Sequence, residues 1–204
     1  MTDLPIHLDP ELAARLTRIL DIEGKIPKAL EALGPVADRD VALVDTPGAI
    51  RARQLTDLGA RVTPVAMNRT AQFDAPDASA DVLVTFWSAF HGAQPAEVAE
   101  AGRVLRPGGR LLVVHDYGRD DVSGLRGERP EYGTWSRRDG PFLTGGFKVR
   151  VLHCWWTFES IEEGAAFLAD VFGEAGRELG SRLTRPRISY NVAVYHRSFG
   201  EAAA

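Results

Sequence analysis

Four short apolar runs, set apart by stretches of helical periodicity, limit what this chain can become more than any other feature. Val41, Ala42, Leu43 and Val44 are a continuous apolar run, as a strand covered on both faces requires. Residues 61–67 predict a second strand, Asp81-Val82-Leu83-Val84-Thr85-Phe86 a third, and residues 110–115, centred on Leu111 to Val114, a fourth. Residues 50–58, stopped by Gly59, and residues 95–104 predict the helices between them. Strand and helix alternating in this order predict right-handed crossovers and a parallel sheet.

The flanks carry their own signals. Asp9 before Pro10 predicts a helix start, with Leu12, Leu16, Ile19 and Leu20 following at helical spacing. A second helix is predicted over 26–33, ended by Gly34 and Pro35. Past Asp120 the chain turns polar, glycine-rich and arginine-rich, with a helix predicted near 131–138. Residues 147–158 and 188–196 predict two more strands, joined by a helix over 160–172 that places Ile161, Ala165, Leu168 and Phe172 on one face.

With 204 residues, 45% of them hydrophobic, one domain is expected. We divide it into an N-terminal helical extension (1–35), an α/β domain (36–198) and a tail (199–204). The net charge of −4 indicates no nucleic-acid partner, and Arg137, Arg138, Arg182, Arg185 and Arg187 read as a solvated face. No signal peptide or membrane-spanning apolar stretch is visible, and the lone Cys154 excludes an intrachain disulfide. The expectation is a cytoplasmic protein without a membrane partner, compatible with a homo-oligomer. No compact ligand spacing suggests a metal.

The segments Asp81-Val82-Leu83-Val84 and Arg103-Val104-Leu105-Arg106-Pro107-Gly108-Gly109-Arg110-Leu111-Leu112 resemble the fourth and fifth strands of class I S-adenosylmethionine-dependent methyltransferases. Leu58-Gly59-Ala60-Arg61-Val62 resembles that family's link between first helix and second strand. The resemblance covers roughly 36–198. It implies an α/β, Rossmann-like methyltransferase sheet, mostly parallel with an antiparallel edge strand and helices on both faces. The stretch from Val41 to Asp81 is short for the family's pattern, so the sheet is expected to lack about one strand–helix unit.

The resemblance also implies S-adenosylmethionine as cofactor, held by a glycine-rich turn of the type D/E-x-G-x-G-x-G after the first strand. Here that turn is Asp45-Thr46-Pro47-Gly48, with one glycine and a proline that lacks an N–H. The carboxylate expected after the second strand, for the ribose, is replaced by Asn68. The candidate cofactor contacts are therefore Asp45, Thr46, Gly48, Asn68, Phe86 and Trp87. Asp45 equally suits a helix cap.

Ligands of open parallel sheets bind at the carboxyl ends of the strands. His91, His115 and Asp116 are the candidate catalytic groups there, His91 or His115 as a general base. Adjacent strand residues face opposite sides, so His115 and Asp116 are not expected to share one site. Tyr117, Trp135 and Arg138 are the candidate substrate contacts, suited to a planar anionic acceptor. Cys154 reads as a buried structural thiol rather than a nucleophile. Two readings stand: a methyltransferase acting on a small molecule, and a non-catalytic methyltransferase-like binding or assembly module. A nicotinamide-dependent dehydrogenase would need the glycine turn that is absent.

Overall fold

The computed structural model describes residues 4–44, 50–68, 70–129 and 131–200. Six strands form one sheet in the order β2-β1-β3-β4-β6-β5: β1 Asp40–Val44, β2 Arg61–Val65, β3 Ala80–Phe86, β4 Leu105–Asp116, β5 Lys148–Thr157 and β6 Arg187–Phe199. β2, β1, β3 and β4 are parallel. β6 runs antiparallel to both β4 and β5, so an antiparallel pair finishes that edge, with β6 one place in from it. The opposite edge is β2, five residues long and interrupted by Pro64. Among the described residues, 66–79 carry no helix and only an isolated bridge between Met67 and Phe73. That is where the expected extra unit would have stood.

Alternation along the strands splits the core into two layers. Leu43, Val84, Val114, Val194 and Trp156 pack with α1 (Pro10–Ile19), α2 (Lys25–Leu33), α5 (Asp121–Arg126) and α7 (Ile161–Gly180). Leu55 of α3 (Ile50–Asp57) joins this layer. Leu83, Val113, Ala193 and Tyr195 face α4 (Pro95–Val104) and α6 (Pro141–Thr144). α1 begins as its sequence predicts: the Asp9 side chain accepts from the Glu11 and Leu12 amides, with Pro10 in the first turn. Residues of α1 and α2 share a core layer with the sheet, and their connection covers the β5 edge, where the Asp21 amide donates to the Trp155 carbonyl.

The motif that carries the resemblance has a physical basis. Arg106 pairs with Asp40 at 2.8 Å and Asp81 at 3.0 Å, and Asp81 accepts from the Asp40 amide, locking the amino ends of β1 and β3. Arg103 donates to the Phe73 and Ala75 carbonyls and pairs with Glu100, fastening the 66–79 segment to α4. The Pro107-Gly108-Gly109 turn is looped out within β4: Ala80 is opposite Leu105 but Val82 is opposite Arg110. Gly108 has φ 81°, and a Cβ on Gly109 would sit 2.8 Å from the Arg106 carbonyl.

One expectation is corrected and one is refined. Residues 131–139 form consecutive turns rather than a helix, and the six-residue α5 precedes them. The helix expected over 160–172 is present: Gly173, at φ 59° and ψ −126°, is non-helical and ends it, and a second helical segment running to Gly180 folds back, so that a Cβ on Gly180 would sit 3.0 Å from the Ala165 Cα.

Candidate functional site

The loop after β3 is held in an unusual backbone conformation. Trp87, Phe90 and Ala93 all have positive φ, at 47°, 60° and 50°. Non-glycine residues hold such angles only where the surroundings enforce them. Here the Trp87 amide donates to the Val114 carbonyl at 3.0 Å, and the Ser88 hydroxyl to the Val44 carbonyl at 3.0 Å. The Glu97 carboxylate accepts from the Phe90 and Gln94 amides. The loop is thus tied to β1, β4 and α4, with His91 exposed at its tip.

At the end of β4 the two polar neighbours part, as strand geometry requires. His115 enters the layer beneath α6, its ring edge-on to Trp135 at 5.0 Å and near His91 at 5.2 Å. Its Nε2–H donates to the Ala89 carbonyl at 2.9 Å. Burial, reinforced by His91, lowers its pKa from 6.5 to about 3, so the imidazole is neutral.

Asp116 turns to the other layer and becomes a hub. Its carboxylate accepts from the Trp87 indole at 2.9 Å, from the Tyr190 hydroxyl and from Arg126 Nη1, with the Tyr132 hydroxyl at 3.3 Å. Burial pushes this carboxyl above the ordinary range, while Arg126, Tyr190 and Trp87 pull against that rise. With four donors it is saturated, which suits holding β4, β6 and α5 together better than accepting a further proton.

These ends of β3 and β4 open into a cleft of about 550 Å³, within the usual size for a small-molecule site. Trp87, His91, His115 and Asp116 line it, together with residues 4–8, Arg126, Arg129, Glu131, Val171 and Phe172. Four of the candidate residues therefore converge here. The other candidates among the described residues do not line this cleft. Phe86 is buried in the core, and Trp135 is buried against His115 and Phe142. Tyr117 is half-buried under the Arg119 guanidinium, and Arg138 is exposed. Sequence reasoning missed Arg126, Arg129, His7 and Phe172. The missed signal for Arg126 was Asp120 followed three residues later by Ser123, a reciprocal cap that starts α5 and sets Arg126 at its end.

The described residues give the expected cofactor little support. Asp45, Thr46 and Gly48 lie outside the described residues. The Asn68 Oδ1 is committed to its own turn, accepting from the Thr70 amide, the Thr70 hydroxyl and the Gln72 amide. Arg51, buried, lies 5.4 Å from the Phe86 ring and 5.8 Å from the Trp87 ring. Among the described residues, no group of three or more His, Cys, Asp or Glu is placed to hold a metal ion, and no helix is long and apolar enough to cross a membrane.

Neither a family model nor a curated protein sequence matches this chain. Solved structures do. A candidate type II methyltransferase from Anaeromyxobacter dehalogenans aligns with a TM-score of 0.55 at 19% identity, covering 86% of this chain and 97% of that one. A candidate methyltransferase from an antibiotic biosynthesis pathway of Anabaena variabilis gives 0.53 at 14% identity, covering 88% and 98%. A SAM-dependent methyltransferase from Aquifex aeolicus gives 0.50 at 16% identity, covering 93% and 98%. The order of the strands, the reversed β6 and these alignments agree: this chain has the fold of the class I S-adenosylmethionine-dependent methyltransferases, in a divergent form.

Proposed function

We propose that this is a methyltransferase-like protein whose cleft at the carboxyl ends of β3 and β4 takes a small molecule as methyl acceptor. The observation that carries this reading is the cleft itself. It is of small-molecule size, stands at the strand ends where open α/β sheets bind ligands, and is reached by a strained, tightly tethered loop. Within it the residues divide their work. Asp116 fixes Trp87 and Arg126 in place, and His115 is neutral with Nε2 committed to Ala89. His91, exposed on the cleft wall, is the group left to take a proton from an acceptor.

A second reading, ligand binding without methyl transfer, has its own support in the Asn68 oxygen, committed to its own turn. Calorimetric titration of the purified chain with S-adenosylmethionine and S-adenosylhomocysteine separates the two. Micromolar binding supports the methyltransferase; no heat at millimolar cofactor, with or without candidate acceptors, leaves only the binding module.

A further inference from the structure

Arg126 is unusual among the cleft residues because its hydrogen bonding is incomplete. Its side chain is only 9% exposed, and Nη1 engages Asp116. Its Nε is buried with no acceptor among the described residues, although the residue lines the cleft. Asp116 cannot supply the missing acceptor without giving up Trp87, Tyr190 or Tyr132. A buried donor on a cation is costly to leave unmade. Arg129 stands on the same wall, exposed and without an ion pair among the described residues, just past the left-handed Gly127. Besides Asp116, the acid lining this cleft among the described residues is Glu131, whose charge also acts on Arg126. Val171 and Phe172, ahead of the Gly173 kink, give the same cleft an apolar surface.

We infer that the cleft selects small molecules bearing an oxyanion, carboxylate or phosphate, which Arg126 and Arg129 grip while Phe172 and Val171 cover the apolar body. This rests on the proposed placement of the small molecule in this cleft, but not on methyl transfer. A guanidinium offers several N–H groups in a fixed plane, so Arg126 holds Asp116 with one and keeps others for the ligand. An oxyanion in the cleft receives charge-assisted bonds from both arginines.

The test follows arginine Nε–Hε resonances of the isotopically labelled full chain, assigned through bonds, during titration with benzoate, phenyl phosphate and neutral benzamide. Each titration is run with and without S-adenosylhomocysteine. We expect one of the two anions to shift the Arg126 Nε–H resonance and to bind at least about tenfold more tightly than benzamide, as a charge-assisted bond gives. Arg129→Ala, at an exposed position that leaves the Asp116 hub intact, should weaken the anion at least threefold and leave benzamide unchanged. The tighter of benzoate and phenyl phosphate identifies the carboxylate or phosphate source. Equal binding of benzamide, an unmoved Arg126 resonance at saturation, or no binding of any probe overturns the inference. Anion binding by a chain that ignores S-adenosylhomocysteine upholds it while defeating the methyltransferase reading; the converse defeats only this inference.

Discussion

Arg126→Met gives the most direct measure of the Asp116 hub. The substitution keeps an unbranched side chain of similar reach but removes the cation that, among the described residues, pairs with a carboxylate whose side chain is 4% exposed. Breaking a buried pair from one side leaves an uncompensated charge and costs about 3–5 kcal/mol. For a chain of this length that corresponds to a fall in Tm of roughly 6–20 °C. The assay is urea and thermal unfolding followed by circular dichroism, over a range of pH. The variant should also lose part of its deficit in acid. Burial already raises the Asp116 carboxyl, and without Arg126 the rise is larger. Between the unfolded and folded pKa values the folded state then holds a proton that the unfolded state releases, so stability falls as pH rises through that window and recovers as pH falls toward about 4. A deficit under about 1 kcal/mol, the range of an exposed pair, or one that grows on acidification would refute the hub.

Three further outcomes are expected. The His115 imidazole, with its pKa lowered to about 3, should not titrate between pH 8 and 5 by NMR; because the unfolded state takes up the proton first, its contribution falls by up to about 1.4 kcal/mol for each pH unit below 6.5, and His115→Gln should flatten that slope. Gly176→Ala should destabilise by about 1–3 kcal/mol in urea unfolding, against the helix-propensity gain of about 1 kcal/mol, because its Cβ would meet the Leu168 carbonyl at 1.9 Å. Cys154, 1% exposed and with its thiol pushed upward by burial and by Asp21, should ignore a thiol-reactive disulfide dye at pH 8 and react fully in urea.

The sheet was readable from sequence because buried parallel strands must be continuous apolar runs, and Val41 to Val44, Leu83 and Val84, and Leu111 to Val114 are such runs. The caps were readable for the same reason: Asp9 with Pro10, and Gly34, act through local geometry. The 131–139 turns were not readable, since their aromatic residues have helical spacing but are held by tertiary contacts such as Trp135 against His115. The candidate site was half legible. Strand-end polarity located Trp87, His91, His115 and Asp116, and alternation separated the last two. Arg126, His7 and Phe172 come from α5, the N-terminal segment and α7, and only folding brings these distant pieces to the end of β4. Tyr117 and Trp135, placed near the cleft by sequence proximity, instead pack into the layer beneath α6.

A sheet that ends at β2 acquires an open edge, and an open edge invites other strands to add to it. The two margins of this sheet meet that hazard differently. At β5 the α1–α2 connection lies across the strand and satisfies part of it, with Asp21 and Lys25 bonding to the Trp155 and His153 carbonyls. At β2 nothing of the kind is needed: the strand is five residues long, and Pro64 is tolerated in it because the N–H it lacks would point outward. An incoming strand therefore finds a short ladder with a missing donor one residue from its end. The loss of a strand–helix unit is in this way made compatible with a chain that resists edge-to-edge self-association.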